Sequence, residues 1–381
     1  MVKISEIIKK RFTQVIPIEP GIYHYKTPPY ADHQYRMHLR IEPSGEGILI
    51  LDASTVLHLN QTAAEYAFHI VNGTPSENAL KSMANRYDIG VDRLQRDYLD
   101  FKERIFDLID RSDLDPIIYL DLDREAPYTS STIAPYRVDC AITYDLADPS
   151  EQSAAPTKNV ERELTTDEWK TILNKCWDAG IPHVIFTGGE PTLRKDLIEL
   201  IQFAEETGQV TGLLTDGIAF ADPSFLDLIL QTGLDHLMVV LNPHNDTEWK
   251  ALEIILPEDL HTTVHLTIFR DDVEEIPGVI KKLSELGVNA ISLSSINPEL
   301  DNVLQRVREL VAELDIPLVW DLPVPYSARN PVNLETIEDD VPDGAGKAWL
   351  YIEPDGDVLP AQGINKVLGN LLKDDWKDIW K

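Results

Sequence analysis

The hydrophobic and polar positions in the first third of the chain predict a small α+β domain. Short apolar runs at 47–51 and 55–59 have the length and bounding turn residues of β-strands. Asn60 is a good helix N-cap and Asn72-Gly73 a good helix end, so a helix is predicted at 61–71. Two more helices are predicted at 76–87 and 91–108.

From residue 136 the apolar runs alternate between strand and helix periodicity. Predicted strands lie at 137–144, 183–187, 210–215, 236–241, 262–269, 290–294 and 318–321. Predicted helices lie between them at 168–179, 193–207, 225–231, 247–255, 276–286 and 302–314. A repeat of roughly two dozen residues is typical of βα units, in either a parallel barrel or a doubly wound sheet.

Two further segments complete the organisation of the chain. Residues 112–135 are rich in proline, serine and threonine, which predicts a linker with one short strand at 117–120. Apolar residues on both sides of Pro354-Asp355-Gly356 predict a β-hairpin, followed by a helix at 375–380. The predicted domains are 1–111, 136–325 and 326–381, with the linker between the first two.

The charge of the chain excludes several classes of partner. It has 65 acidic and 34 basic residues, a formal net charge of −31. Such an excess repels phosphate backbones and anionic lipids, so we predict no nucleic-acid binding and no membrane binding. No apolar run has transmembrane length, and residues 1–12 lack the apolar segment and cleavage site of a signal peptide. We therefore expect a cytoplasmic protein.

Cysteine content limits the metal chemistry. The chain contains two cysteines, Cys140 and Cys176. Two thiols cannot build a disulfide framework or a site of three or four thiolates. Cys140 lies within a predicted buried strand, and Cys176 shares an apolar helical stripe with Trp169, Ile172 and Leu173. Both cysteines are therefore predicted core residues.

The candidate site lies where the second strand of the alternating region ends. Thr187-Gly188-Gly189-Glu190-Pro191-Thr192-Leu193-Arg194 follows that strand, where glycines let the main chain turn sharply or approach a ligand. This octet, with the third strand at 213–217, resembles the radical S-adenosylmethionine (SAM) family. The resemblance implies an α/β fold with a partial (βα)6 TIM-type barrel, in which the Gly-Gly-Glu segment contacts the amino group of SAM. The candidate cofactor-binding residues are Gly188, Gly189, Glu190, Pro191, Thr215 and Asp216.

The same resemblance implies a [4Fe–4S] cluster, held by a Cys-x3-Cys-x2-Cys motif in the loop after the first barrel strand. Alignment on that strand puts the three positions at Leu146, Ser150 and Ser153, none of which is a cysteine. Leucine cannot ligate iron, and a serine alkoxide is a poor substitute for a thiolate.

A second register does not restore the cluster motif. If Cys140 were the first ligand, Tyr144 and Ala147 would stand at the other two positions. We therefore expect no [4Fe–4S] cluster and predict no other metal site. SAM stays a candidate ligand, and the sequence identifies no catalytic residue.

The N-terminal domain carries a second resemblance. Its order of strands followed by three helices resembles the PqqD-like family of winged-helix RiPP recognition elements. The resemblance includes the segment Leu57-His58-Leu59-Asn60-Gln61-Thr62-Ala63-Ala64-Glu65. Those domains bind the leader peptides of ribosomal peptide precursors. The resemblance implies that an extended peptide adds to an edge of the small sheet and lies against the third helix. A winged-helix domain with another use is the alternative.

The C-terminal hairpin and helix carry a third resemblance, to the SPASM/twitch extension of peptide-modifying radical SAM enzymes. Cysteines of that extension bind auxiliary clusters. Asp343 and Ala361 stand where two of those cysteines are expected. The extension is therefore expected as structure, without clusters.

Three functions follow from these resemblances. The first is a pseudoenzyme, a degenerate radical SAM-like protein that binds a leader or precursor peptide or an active radical SAM partner, or that self-associates. The second is an enzyme that keeps a SAM or small-molecule pocket for non-radical chemistry, using Glu190, Thr215 and Asp216. The third is an atypical radical SAM peptide maturase, which two cysteines make chemically implausible. The first is the function we favour.

Overall fold

The computed structural model describes residues 18–28, 30–52, 55–84, 86–87, 90–111, 114–120, 132–270, 275–320, 322–328 and 342–380. The chain divides into two compact units, Met1–Thr129 and Ser130–Lys381. The interpretations of residues 1–12 and of most of the linker, at 121–131, fall outside the described residues.

An antiparallel sheet opens the described part of the first unit. Its strands, paired in chain order, are β1 (Gly21–Lys26), β2 (Arg36–Ile41), β3 (Gly47–Leu51) and β4 (Thr55–Leu59). Helices α1 (Gln61–Val71), α2 (Ser76–Ala84) and α3 (Val91–Asp110) follow. The predictions of β3, β4 and α1 are confirmed. Sequence analysis missed β1 and β2, because histidine, arginine and tyrosine interrupt their apolar pattern.

One hydrophobic core joins this sheet to its helices. Leu39, Leu49 and Leu57 lie on neighbouring strands and are at most 1% exposed. Tyr98 of α3 is buried in the same cluster. The Asn60 side chain accepts a 3.0 Å hydrogen bond from the Ala63 N–H, which confirms it as the N-cap of α1.

The predicted strand at 117–120 is wrong, since this segment forms a short helix, α4 (Pro116–Leu120). The Asp115 carboxylate accepts a 3.1 Å hydrogen bond from the Ile118 N–H, and the Asp115 carbonyl accepts one from the Tyr119 N–H. An aspartate before a proline at the first helical position is a helix-start signal. This cap outweighs the strand preference of the apolar run that follows.

The second unit is built on one large, mostly parallel sheet. Its parallel strands are β5 (Arg137–Thr143), β6 (His183–Gly188), β7 (Val210–Thr215), β8 (His236–Val240), β9 (His261–Ile268), β10 (Ala290–Ser295) and β11 (Leu318–Val319). Each pairs with the next in chain order. This open parallel sheet with helical crossovers is the α/β fold predicted for a partial TIM-type barrel.

Helices connect the parallel strands. They are α5 (Thr166–Asp178), α6 (Leu197–Thr207), α7 (Pro223–Leu230), α8 (Asp246–Ile255), α9 (Glu275–Glu285) and α10 (Asp301–Glu313). A reciprocal capping box between Thr165 and Glu168 begins α5. The predicted helix at 193–207 begins only at Leu197, because a 3₁₀ turn at Pro191–Leu193 precedes it.

The C-terminal hairpin extends the sheet at its other edge. It consists of β12 (Trp349–Ile352) and β13 (Asp357–Leu359), with β14 (Gly369–Asn370) and the helix α11 (Trp376–Ile379) after it. Strand β12 pairs with β5 in parallel and with β13 in antiparallel orientation. The predicted hairpin is thus confirmed.

The core of the second unit lies between the sheet and its helices. Cys140 on β5 and Cys176 on α5 are both fully buried in this core, as predicted. On the opposite face of the sheet, Leu322 and Val324 pack against a smaller cluster that includes Met238. The segment 322–328 therefore contributes to the inner face of the strands.

Candidate functional site

The Gly-Gly turn after β6 lies too close to its neighbours to carry side chains. A Cβ on Gly188 would come within 2.1 Å of the Thr143 carbonyl oxygen, and Gly188 has a φ of +131°. A Cβ on Gly189 would come within 2.2 Å of the Asp145 carbonyl oxygen. The Gly189 N–H donates to the Thr143 carbonyl at 2.9 Å. Both glycines are therefore required by the close approach of the chain that leaves β5.

The Glu190 carboxylate is buried and held by four hydrogen bonds. Oε1 accepts from the Thr192 N–H at 2.9 Å, the Thr192 hydroxyl at 2.6 Å and the Thr215 hydroxyl at 2.8 Å. Oε2 accepts from the Asp216 N–H at 2.8 Å. The structure thus brings together the predicted site residues Glu190, Thr215 and Asp216, at the carboxyl ends of β6 and β7.

The surroundings of Glu190 disfavour its charge. Burial, with the nearby Asp216 carboxylate, raises the pKa of Glu190 to about 8 against the opposing effect of its hydrogen bonds. Its position is fixed by intramolecular donors, and Glu190 also lines the adjacent cavity.

Arg194, the last residue of the motif, ties together the two ends of the loop after β5. Its guanidinium donates to the Ile142 carbonyl at 2.8 Å and to the Leu164 carbonyl at 3.1 Å. It also forms a bidentate pair with Asp196, at 2.9 and 2.7 Å. Glu163 accepts from the Thr143 hydroxyl at 2.7 Å. These contacts hold the loop 145–163 over the end of the sheet.

Leu146, aligned with the first cluster cysteine, packs as a core side chain. It is 8% exposed and belongs to an apolar and aromatic cluster with Tyr326, Tyr351 and Leu359. It also lies against the glycine turn, since a Cβ on Gly189 would come within 2.9 Å of Leu146 Cδ2. The position is therefore filled by a hydrocarbon side chain with no donor atom for iron.

The other two aligned positions lie in a 3₁₀ turn at Pro149–Ala154, where both serines are exposed. The Ser150 hydroxyl donates to the Asp148 carboxylate at 2.7 Å, and the Ser150 N–H donates to the same oxygen at 2.8 Å. Ser150 thus belongs to the cap that Asp148 forms at the start of this turn. Ser153 takes no part in that cap.

The thiols of the chain lie elsewhere. Burial raises the pKa of Cys176 to about 12 and that of Cys140 well above its usual value. Nowhere in the described ranges do three His, Cys, Asp or Glu side chains gather in a metal-binding arrangement. The residues present at the predicted cluster position therefore do not fit the three thiolates of a [4Fe–4S] cluster.

A cavity of about 460 Å³ opens at the carboxyl ends of the strands, beside the glycine turn. Leu146 lines it together with three of the six predicted cofactor residues, Gly189, Glu190 and Asp216. The other three, Gly188, Pro191 and Thr215, are not among its lining residues. Apolar side chains form much of the wall: Ile218, Val240, Leu241, Leu266, Ile268, Phe269, Ile276, Val279 and Leu293. The volume and composition are those of a small-molecule site.

Several lining residues were not found by sequence analysis. Tyr326 donates its N–H to the Gly188 carbonyl at 2.8 Å, and its ring stands edge-on to Tyr144. At the mouth, Glu275 pairs with His244 at 3.3 Å and with Arg270 at 3.5 Å. These residues come from three separate segments, and no motif in the chain links them.

The C-terminal positions aligned with auxiliary-cluster cysteines do not come together as a polar site. Asp343 is exposed, whereas Ala361 is 6% exposed and buried. Beside them the hairpin turn contributes Glu353, whose Oε1 accepts a 3.0 Å hydrogen bond from the Tyr144 hydroxyl. Burial raises the pKa of Glu353 to about 7.

None of the helices in the described ranges combines the length and apolarity that crossing a bilayer requires.

Comparison with known sequences gives one family and a set of relatives. Residues 140–259 match the model of the radical SAM superfamily. PqqA peptide cyclase of Bradyrhizobium diazoefficiens is 27% identical over 239 residues, 55% of this chain and 61% of the relative. PqqA peptide cyclase of a Methylobacterium strain is 26% identical over 57% of this chain and 65% of the relative. The chain thus matches less than two thirds of the length of these relatives.

Comparison with solved structures gives the same fold. Streptococcus suis SuiB bound to S-adenosylmethionine superposes with a TM-score of 0.61 at 14% identity, over 94% of this chain and 88% of SuiB. SuiB bound to the precursor peptide SuiA superposes with a TM-score of 0.58 at 14% identity, over 90% of this chain and 86% of SuiB. Residues 140–259 thus match the radical SAM superfamily, and the chain shares the fold of SuiB.

Proposed function

We propose that this protein is a cluster-free member of the radical SAM superfamily that binds a ribosomal peptide precursor, or an active radical SAM partner, in peptide modification. The observation that carries the proposal is Leu146. Leu146 stands where alignment puts the first cluster cysteine, and its side chain packs with Tyr326 and Tyr351, which supports a hydrocarbon core at this point in place of an iron ligand. The relatives named PqqA peptide cyclase and the SuiB–SuiA complex support peptide modification as the biological setting.

The first unit supports peptide binding as the retained activity. Among the described residues its sheet ends in two strands that each pair on one side only, β1 with β2 and β4 with β3. An open strand edge offers backbone donors and acceptors to an extended peptide, whatever the side chains of that peptide. Loss of the cluster would leave this mode of binding intact.

Iron reconstitution tests the cluster-free part of the proposal. The purified chain is incubated anaerobically with iron and sulfide, desalted, and examined by its visible spectrum and iron content. We expect a colourless protein without bound iron. Stoichiometric iron with a broad absorption band of thiolate-bound clusters would overturn the proposal.

A binding assay tests the peptide part. An array of synthetic peptides tiles the short reading frames that flank the gene, and it is probed with the labelled full chain. We expect binding to one contiguous segment, weakened when Val56 at the open edge strand β4 is replaced by proline, because proline distorts the edge. Val56 is 41% exposed, so Val56→Thr at the same position is the matched control that keeps the strand. Equal binding by all three chains would contradict this mode.

A second function is favoured by the cavity beside Glu190. Its volume of about 460 Å³ suits a small molecule. A cationic group beside Glu190 would favour the ionised carboxylate that burial disfavours, and SAM is one such candidate. Calorimetric titration of the iron-free chain with SAM tests this function. Val279→Trp fills the cavity, whereas Val56→Thr in the other unit serves as control. Saturable binding lost only in Val279→Trp would shift the assignment to a non-radical SAM-binding protein.

A further inference from the structure

Helix α4 lies against both α3 and the edge strand β4 in the first unit. In the part of the chain that the structure describes, β4 pairs only with β3, so α4 lies beside an open edge of the sheet. Leu114, Tyr119 and Leu120 pack against the core of the unit. Residues 114–120 therefore cover a surface formed by the third helix and the last strand.

Polar contacts of Tyr119 tie this segment to α3. Arg104 of α3 donates to the Tyr119 carbonyl at 2.7 Å, and its guanidinium lies 5.7 Å from the centre of the Tyr119 ring. The Tyr119 hydroxyl donates to the Asp107 carboxylate, one helical turn further along α3. Asp100 pairs with Arg104 at 3.0 Å and orients it. Thus α3 presents a guanidinium that binds a backbone carbonyl and a carboxylate that binds a tyrosine hydroxyl.

A helix as short as α4 has little stability of its own. Nucleation costs more than a single turn returns, so five residues hold a helix only through their contacts. Ile118 in the middle of α4 is 69% exposed, which leaves the segment anchored on one side. Its attachment to α3 therefore depends on Tyr119, Leu120 and the residues they touch.

We propose that the surface formed by α3 and β4 is a docking site for a short peptide with a tyrosine between apolar residues, and that residues 114–120 are its resident occupant. An incoming peptide must displace this segment, which acts as an autoinhibitory contact. The competition with a precursor peptide rests on the proposed function. The recognition of the segment by Arg104 and Asp107 does not.

Displacement in trans tests the proposal. The probe is a fluorescent synthetic peptide with the sequence of residues 112–122, and the proteins are full-length chains. In the wild type the tethered segment competes at a high effective concentration, so the probe binds weakly. Tyr119→Ala/Leu120→Ala frees the surface without altering Arg104 or Asp107. We expect this variant to bind the probe at least about tenfold more tightly than the wild type by fluorescence anisotropy.

Three controls make the result specific. Ile118→Ala changes an exposed residue of the same helix and should leave probe binding at the wild-type level. Adding Arg104→Ala to the double variant should abolish the gain, and a probe with phenylalanine in place of its tyrosine should bind more weakly. Equal weak binding by the wild type and a folded double variant overturns the proposal. If the double variant loses its circular dichroism signal and is therefore unfolded, Tyr119→Phe replaces it in the test. We expect Tyr119→Phe to bind the probe about threefold more tightly than the wild type, because the tethered segment loses its hydrogen bond to Asp107.

The outcome separates this inference from the proposed function. Tighter probe binding without any response to peptides from the flanking reading frames supports the docking surface and contradicts precursor binding. Binding of such a peptide with equal affinity by the wild type and the double variant supports precursor binding and overturns the autoinhibitory contact.

Discussion

The Asp216 N–H donates a 2.8 Å hydrogen bond to Oε2 of Glu190, so the Gly-Gly-Glu turn after β6 is tied to the end of β7. The Thr215 hydroxyl adds a second tie to Oε1 at 2.8 Å. A carboxylate with these partners organises the ends of two parallel strands whether or not a ligand is present. The Gly-Gly-Glu turn therefore has a structural role in this chain besides any role in binding a ligand.

The glycine turn should tolerate no side chain. In Gly189→Ala the new Cβ meets the Asp145 carbonyl oxygen at 2.2 Å, so we expect a loss of about 3 kcal/mol or more in the free energy of unfolding. Gly278→Ala is the matched control, because a Cβ there meets nothing within 4 Å and Gly278 lies in α9. That control should gain about 0.5–1 kcal/mol. Urea denaturation of both variants measures the difference, and equal stabilities would refute the close approach.

Arg194 should stabilise the loop over the sheet end. The Arg194 side chain is 12% exposed, donates hydrogen bonds to two backbone carbonyls and pairs with Asp196. Arg194→Ala therefore leaves these acceptors without their donor. We expect a loss of about 2–4 kcal/mol, only partly restored by Arg194→Lys because lysine cannot donate in a fork. Arg162→Ala, whose side chain is 60% exposed, should cost much less than Arg194→Ala. Similar losses from the two alanine variants would contradict the structural role of Arg194.

Glu353 should make the stability of the second unit depend on pH. Burial, with Asp355 and Asp357 nearby, raises its pKa from 4.5 to about 7 in the folded chain, against the Tyr144 hydrogen bond. The folded state then binds the proton more tightly, and the stabilisation present below pH 4.5 is lost as pH rises through 7.

The amide variant isolates this contribution. Glu353→Gln keeps an acceptor for Tyr144 and removes the titration, so its stability should fall less between pH 5 and pH 8 than that of the wild type. The expected difference is on the order of 1–2 kcal/mol, because one pKa unit is worth about 1.4 kcal/mol and partial solvent access reduces the full value. Glu161→Gln, at an exposed carboxylate, should follow the wild type. Parallel pH profiles for the wild type and Glu353→Gln would exclude the effect.

Neither thiol should react with a thiol reagent in the native protein. Cys140 and Cys176 are fully buried, and burial raises the pKa of each. An aromatic disulfide reagent should therefore detect no thiol in the native chain at neutral pH and both thiols, two per chain, after unfolding in guanidinium. Rapid native reaction of either cysteine would show a thiol accessible to iron and would weaken the cluster-free proposal.

Much of the second unit could be predicted from local signals. Residue types and spacing alone predict the capping box at Thr165 and Glu168 and the sharp turn at the glycines after β6. The error at 117–120 arose where strand preference and an Asp-Pro helix start compete within a few residues, and contacts with α3 and β4 favour the helix. Strands β1 and β2 escaped prediction because their burial depends on sheet partners and not on an apolar alternation.

By itself, the sequence determined the superfamily motif, the alternation of strands and helices, and the number of thiols, because each is written in residue type and spacing. Only the tertiary structure decided what surrounds Leu146 and Glu190, since their neighbours Tyr326, Tyr351 and Asp216 arrive from distant segments. It also decided that residues 114–120 cover α3 and β4, because docking depends on surfaces that form only when the chain has folded.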